Sequence, residues 1–238
     1  MNLASLMERY GDAAVLATGG ALIGALFGFT AQRSRFCLRA AVIEFWHRRF
    51  GDKLAVWLLA FSSAVVGVQL LILAGALDVS DARQLASRGS LSGALVGGLL
   101  FGIGMILTRG CASRLLVLSA NGNLRALLSG LVFAVTAQAA LGGALAPLRE
   151  SISLWWTVDG GSARDLLALT GIGHKGALLF GLLWAAAALF FGLRSGGGAW
   201  KWFGGIGAGL SVAAAWWFSY SVASESFGVV KIQGMTFS

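Results

Sequence analysis

Six stretches of this chain carry no charged residue, and each is about the length of one membrane crossing. They cover residues 13–32, 54–77, 89–108, 126–148, 176–193 and 202–224, with lengths of 20, 24, 20, 23, 18 and 23 residues. A helix rises 1.5 Å per residue, so roughly 20 residues cross the roughly 30 Å of hydrocarbon. Together the six runs take up 128 of 238 residues. A soluble domain places about a quarter of its residues in Asp, Glu, Lys and Arg, whereas here the share is 12%. The chain reads as an all-α, polytopic membrane bundle of about six spans, forming one transmembrane domain over residues 1–238.

Charge placement decides between a bilayer and a nucleic-acid partner. The net charge is +8, but the bases lie in short segments between apolar runs and not on a polar domain. The positive-inside rule accounts for them, and nucleic acid is not an expected partner. With the N-terminus outside, the cytoplasmic segments 33–53, 109–125 and 194–201 hold eleven bases and two acids, Glu44 and Asp52. The outer segments hold seven bases and eight acids, so the rule favours this orientation. The apolar content and the single proline, Pro147, exclude a disordered chain. Residues 1–12 carry little positive charge and no cleavage-like site follows the first run, so no cleavable signal is expected.

The residues also exclude several chemistries. His47 and His174 lie far apart and head no ligand motif, so no metal or cofactor is expected. There is no Ser–His–Asp arrangement, no phosphate-binding glycine loop after a strand, and no histidine pair inside the spans. The chain is not expected to be an enzyme. Every Asp and Glu falls outside the apolar runs, whereas proton pumps place an acid inside the bilayer. Facilitated passage or partner-assisted delivery fits better.

Two cytoplasmic segments are too short to span and too apolar for solvent loops: SRFCLRAAVIEFW at 34–46 and CASRLLVLSA at 111–120. Each reads as a re-entrant half-helix or an interfacial helix. A re-entrant segment implies a functional centre, because irregular backbone at membrane depth survives only when buried in protein or lining a cavity. The outer segment 149–175, with Trp155, Trp156 and SARD before LLAL, predicts an interfacial helix. Trp46, Trp57, Trp200, Trp202, Trp216 and Trp217 lie near span ends and read as interface anchors.

An internal repeat singles out the two short segments. Residues 24–43 read GALFGFTAQRSRFCLRAAVI, and residues 98–117 read GLLFGIGMILTRGCASRLLV. At an offset of 74 the pairs Gly24/Gly98, Leu26/Leu100, Phe27/Phe101, Gly28/Gly102, Arg35/Arg109 and Cys37/Cys111 are identical. Leu and Gly coincide easily in apolar segments, but both cysteines of the chain fall in register. The repeats run over about 13–77 and 89–148, with 176–238 beginning a further unit. Each starts after an even number of crossings, so the two are expected to be parallel, as in transporters whose interrupted helices meet at a substrate site.

Cys37 and Cys111 should each begin a short helix, where unpaired N–H groups and the positive dipole end attract anions and make a thiol more reactive. Arg35 and Arg109, two residues earlier, can draw or pair with an anion. Gly110 would let backbone approach a ligand, while Phe36 in its place should crowd the first repeat. The plainer account is that a membrane-helix cysteine is a small packing residue and a terminal arginine is cytoplasmic charge; the in-register pair weighs against it. A disulfide between the two is geometrically possible. Gly20, Gly24 and Gly28, and Gly98 and Gly102, have small-xxx-small spacing for close crossings. Phe27 and Phe101 either narrow a path or fill a core; Gln69, Thr136 and Gln138 either face a conduit or bond between helices.

The segments GALFGFTAQRSRFCLRAA (24–41), GIGMILTRGCASR (102–114) and ESFGVVKIQGMTFS (225–238) resemble the YeeE/YedE family of sulfur-transport membrane proteins, which includes bacterial thiosulfate transporters. The resemblance implies a bundle whose re-entrant helices meet in an hourglass-shaped path, with cysteines relaying the anion through S–H···S contacts. Cys37 and Cys111 would be its first two positions; Arg35, Arg109 and Gly110, singled out beside them by the reading of the residues above, make up the rest of the candidate substrate-binding set. Longer members continue into a second half with a further glycine–cysteine motif, so the C-terminal half is expected to be lacking here. The function implied is a bacterial inner-membrane permease for thiosulfate or a related small sulfur-containing anion. The alternatives are persulfide or selenium handling with a cytoplasmic sulfur-carrier protein, and a structural membrane subunit with inert cysteines. A second membrane subunit is a further expected partner.

Overall fold

The structure, a computed structural model, describes residues 3–79, 88–160, 166–196 and 198–225. Its elements are α1 (Leu3–Tyr10), α2 (Asp12–Ser34), α3 (Leu38–Trp46), α4 (Asp52–Leu73), β1 (Gly89–Ser90), α5 (Leu91–Leu107), α6 (Ala112–Ala120) and α7 (Leu124–Gly142). They continue with α8 (Ala146–Ser153), β2 (Thr157–Val158), α9 (Leu166–Thr170), α10 (Gly173–Ser195) and α11 (Ala199–Glu225). With α2–α3 and α5–α6 each taken as one broken helix, 6 elements are long and apolar enough to cross a membrane. They coincide with the six uncharged runs.

The core lies on one side of the molecule. Helix α11 packs against both α2 and α4, and α10 packs along α4. The close approach depends on glycines of α11: a Cβ at Gly204 would stand 2.8 Å from the Thr30 carbonyl, and one at Gly209 would collide with the Ala60 carbonyl. Ser63 Oγ donates to the Ile206 carbonyl at 3.3 Å across the same crossing. Small residues with a bridging hydroxyl are how membrane helices associate where apolar area alone does not drive them together.

The expected glycine stripes are not where this packing occurs. Gly20, Gly24 and Gly28 on α2, and Gly98 and Gly102 on α5, have nothing within 4 Å of where a Cβ would stand. Helix α11 meets α2 on a different face, against Gly19, Thr30 and Ser34. Small-residue spacing creates a groove, but chain connectivity decides which groove receives a helix.

The 74-residue repeat is visible in the backbone. Arg35 (φ 54°) and Arg109 (φ 59°) are both left-handed, and Cys37 and Cys111 are both extended N-cap residues. The short helices α3 and α6 have nine residues each. Both then close in the same way. Arg48 (φ 54°) and Gly122 (φ 83°) are again left-handed. Arg49 N–H donates to Glu44 O at 2.9 Å, and Asn123 N–H to Leu118 O at 3.1 Å. These are Schellman-type closures, in which a left-handed residue lets the chain satisfy the last carbonyls of a helix.

Some details depart from the sequence reading. Trp46, Trp200 and Trp217 are exposed as anchors should be, but Trp57 and Trp202 pack on the interior cluster of Leu54, Leu58, Leu59 and Ala188. The 149–175 segment holds the end of α8, which has Pro147 in its first turn, the whole of α9 and the first residues of α10. Between them, β2 pairs antiparallel with β1, Gly89 opposite Val158, an unforeseen two-residue ladder in an otherwise helical chain. The SARD tetrapeptide and the C-terminal motif after Glu225 lie outside the described residues.

Candidate functional site

The two helix breaks meet. The Cys37 and Cys111 side chains lie close to one another, and both are free thiols. Each sulfur lies near the first turn of its own short helix, by Ala40 for Cys37 and Arg114 for Cys111, without forming a side-chain cap hydrogen bond. Each also faces the start of the other helix: Cys37 the Cys111 N–H, and Cys111 the Leu38 N–H. Two helix N-termini, α3 and α6, thus converge on a pair of sulfurs, where their unpaired N–H groups and dipoles favour negative charge. Gln32 Nε2 donates to Asn121 Oδ1 at 3.0 Å and ties α2 to the C-terminal end of α6.

Local sequence explains why each thiol is held there. A left-handed residue stops α2, with Phe36 N–H donating to Ala31 O at 3.0 Å. Phe36, 2% exposed, is then driven into the cluster of Ala31, Val56, Ala60 and Ala208. That anchors the residue before Cys37 and turns the thiol away from the core. The first repeat is therefore crowded at Phe36, as its size predicts, yet its cysteine is the more accessible one. Cys37 is half-buried, whereas Cys111 is 1% exposed. Phe27 joins this packing edge-on, its ring centroid 6.3 Å from that of Phe36.

Cys37 opens onto a cavity of about 210 Å³ lined by Ser34, Arg35, Ala40, Asp52, Lys53, Arg109, Arg114 and Lys201. That is well above the roughly 10–15 Å³ one water needs, so a polyatomic anion and water fit together. Five of the lining residues are bases and one is an acid. Asp52 is ion-paired with Lys201, and Lys53 lies 3.8 Å from Glu44. Among the described residues, no carboxylate lies within ion-pair distance of Arg35, Arg109 or Arg114. Glu44 is committed to the end of α4, where its Oε2 accepts from Leu54 N–H at 3.0 Å and fixes α3 against α4.

Of the residues singled out in the sequence, Cys37, Arg35 and Arg109 line the cavity, and Cys111 lies behind Cys37. Gly110 is buried at the second break but is not in the lining, and a Cβ there would meet only Leu115 at 3.4 Å. Sequence reasoning missed Arg114, Lys53, Lys201 and Asp52 as site residues. The clustering of bases in cytoplasmic segments was the available signal for the first three. Gln69 and Thr136 are outside the site: Gln69 Oε1 lies 3.0 Å from His174 Nδ1, and Thr136 Oγ1 donates to its own helix at Val132 O, 2.8 Å away. Among the described residues, no group of three or more His, Cys, Asp or Glu is arranged to hold a metal.

Six membrane-length helices define a polytopic helical membrane protein, and a cavity lined by five basic residues lies where α2–α3, α4, the α5–α6 break and α11 meet. Residues 33–237 match the sulphur-transport family, and the chain belongs to that family. It is similar to the thiosulfate transporter TsuA of Escherichia coli (strain K12), at 36% identity over 94 residues, 40% of this chain and 25% of that protein. It is also similar to the thiosulfate transporter TsuA of Spirochaeta thermophila, at 30% identity over 139 residues, 58% of this chain and 38% of that protein. The matches thus span well under half the length of either relative. The family is one of transporters, not enzymes.

Proposed function

We propose that the chain is a permease component of the bacterial inner membrane for thiosulfate or a closely related sulfur-containing anion. The contact between the Cys37 and Cys111 thiols beside the basic cavity carries this reading. Arg35, Arg109 and Arg114 attract the anion, and the N-termini of α3 and α6 hold its charge. A terminal sulfur then passes from Cys37 to Cys111 through S–H···S contacts. A sulfur anion suits this arrangement better than an oxyanion without a terminal sulfur, because thiols donate weakly to oxygen but match sulfur in size and polarizability.

In this reading α3 and α6 are re-entrant, the two units are parallel repeats about an axis near the membrane normal, and the N-terminus is outside. The basic cavity then opens to the cytoplasm, and import is the direction. The transport path is completed by a second membrane subunit or a further segment, in keeping with the fraction of each relative that is matched.

Uptake of labelled thiosulfate into vesicles containing the chain tests this. Cys37→Ala and Cys111→Ala should each abolish uptake. Undiminished uptake with both cysteines replaced would overturn the relay, and full uptake by the unaltered chain alone would overturn the need for a completing subunit or segment.

A further inference from the structure

We propose that Asp52 is the resident counter-ion of the cavity, and that an entering dianion displaces it from Lys201. The inference rests on reading the cavity as an anion site and adds how that site selects and releases its ligand. Among the described residues, Asp52 is the only acid in the lining. It stands at the first position of α4, and its partner Lys201 comes from α11, so the pair spans the crossing of two helices.

Three observations point to exchange. The pair is partly open, with side-chain exposures of 29% for Asp52 and 35% for Lys201, and ion pairs this accessible add little to stability. Glu44, the nearest other carboxylate, is held at the α4 N-terminus by Leu54 N–H. Arg35, Arg109 and Arg114 have no carboxylate partner among the described residues. An anion drawn in by those three arginines therefore meets one competitor, the Asp52 carboxylate, for one further cation.

The competition is a charge filter. A monoanion such as chloride brings no more charge than the tethered carboxylate and gains nothing by displacing it. A dianion does, because twice the charge interacts with the same cations. When the dianion leaves, Asp52 returns to Lys201 and lowers the cost of its release. Conduction needs binding that is favourable enough to enter and weak enough to leave.

The test uses the full chain in lipid nanodiscs, with thiosulfate and sulfate as probes and chloride as competitor. Asp52→Asn should bind both dianions about ten-fold more tightly and become sensitive to chloride, since a like charge has gone from the cavity. Asp52→Glu should restore the original behaviour, Lys201→Met should weaken binding, and the double Asp52→Asn/Lys201→Met variant should fall between the two single variants. A merely structural pair would move both single variants in the same direction with a lower unfolding temperature, and that outcome overturns the proposal. So does unchanged or weaker binding by Asp52→Asn. If Asp52→Asn tightens sulfate binding while the original chain does not prefer thiosulfate, the counter-ion stands and the sulfur reading fails. If the original chain binds neither dianion, both fail.

Discussion

The two segments related by the 74-residue offset share the local backbone of their breaks but not an environment. Unit one, α2–α3–α4, and unit two, α5–α6–α7, break and restart at equivalent residues. In unit one the buried share of the apolar window is 11% in the broken helix α2–α3 and 33% in α4; in unit two it is 6% in α5–α6 and 6% in α7, so the contrast lies mainly between α4 and α7. Unit one is covered by α10 and α11, and unit two has no equivalent pair among the described residues. Its apolar side chains, such as Leu99 and Leu107 (77% exposed), face outward. The same break thus forms in a well-covered unit and in a largely open one, and in both it is itself packed: Phe36 is 2% and Cys111 1% exposed.

The largest test of that contrast is steric. Gly209→Leu on α11 drives a side chain into the Ala60 carbonyl and Ser63 of α4, and should cost about 1–3 kcal/mol or more as overpacking. Gly102→Leu on α5 meets open space and should stay within about 0.5 kcal/mol. Unfolding in mixed detergent micelles would compare them, and equal effects would remove the distinction between covered and open units.

Electrostatic variants come next and should erase the contrast. Arg35→Ala in unit one and Arg109→Ala or Arg114→Ala in unit two should each weaken thiosulfate binding by several-fold to about ten-fold. The effect should shrink at high salt, because the cavity is open to screening ions. Lys53→Ala should cost less, since that side chain is exposed and shared with Glu44. Titration at two ionic strengths measures both statements.

The smallest effect belongs to the closing turns. Arg48 holds a left-handed conformation that Gly122 adopts at the equivalent place. A non-glycine residue there is strained by about 1–2 kcal/mol, part of which glycine recovers while losing more chain entropy on folding. Arg48→Gly should thus be neutral to mildly stabilising, by no more than about 1 kcal/mol, in the same detergent assay. A clear destabilisation would mean that the arginine side chain, not the turn, holds unit one closed.

Much of this was legible in the sequence because it is local. Uncharged runs gave the six long helices, and the paired cysteines gave the breaks, since an N-cap and the left-handed residue before it are set within a few positions. The missing parts are those the chain assembles from a distance. Lys201 reaches Asp52 across 149 residues, and no local pattern marks either as a cavity residue. Gly204 and Gly209 look no different in sequence from Gly98 and Gly102, and only the path of α11 decides which of them are compressed. Trp57 and Trp202 sit near span ends like true anchors but turn inward, because the α4–α10–α11 core offers them apolar neighbours.

A sulfur-bearing anion that rests in the basic cavity against Cys37 should shield that thiol. In a Cys111→Ala background, the rate of Cys37 alkylation by a small maleimide reads this directly. Thiosulfate should slow the reaction in a saturable manner, chloride at matched ionic strength should not, and Arg109→Ala should shift protection to higher thiosulfate concentration. Alkylation at the same rate with and without thiosulfate would contradict it.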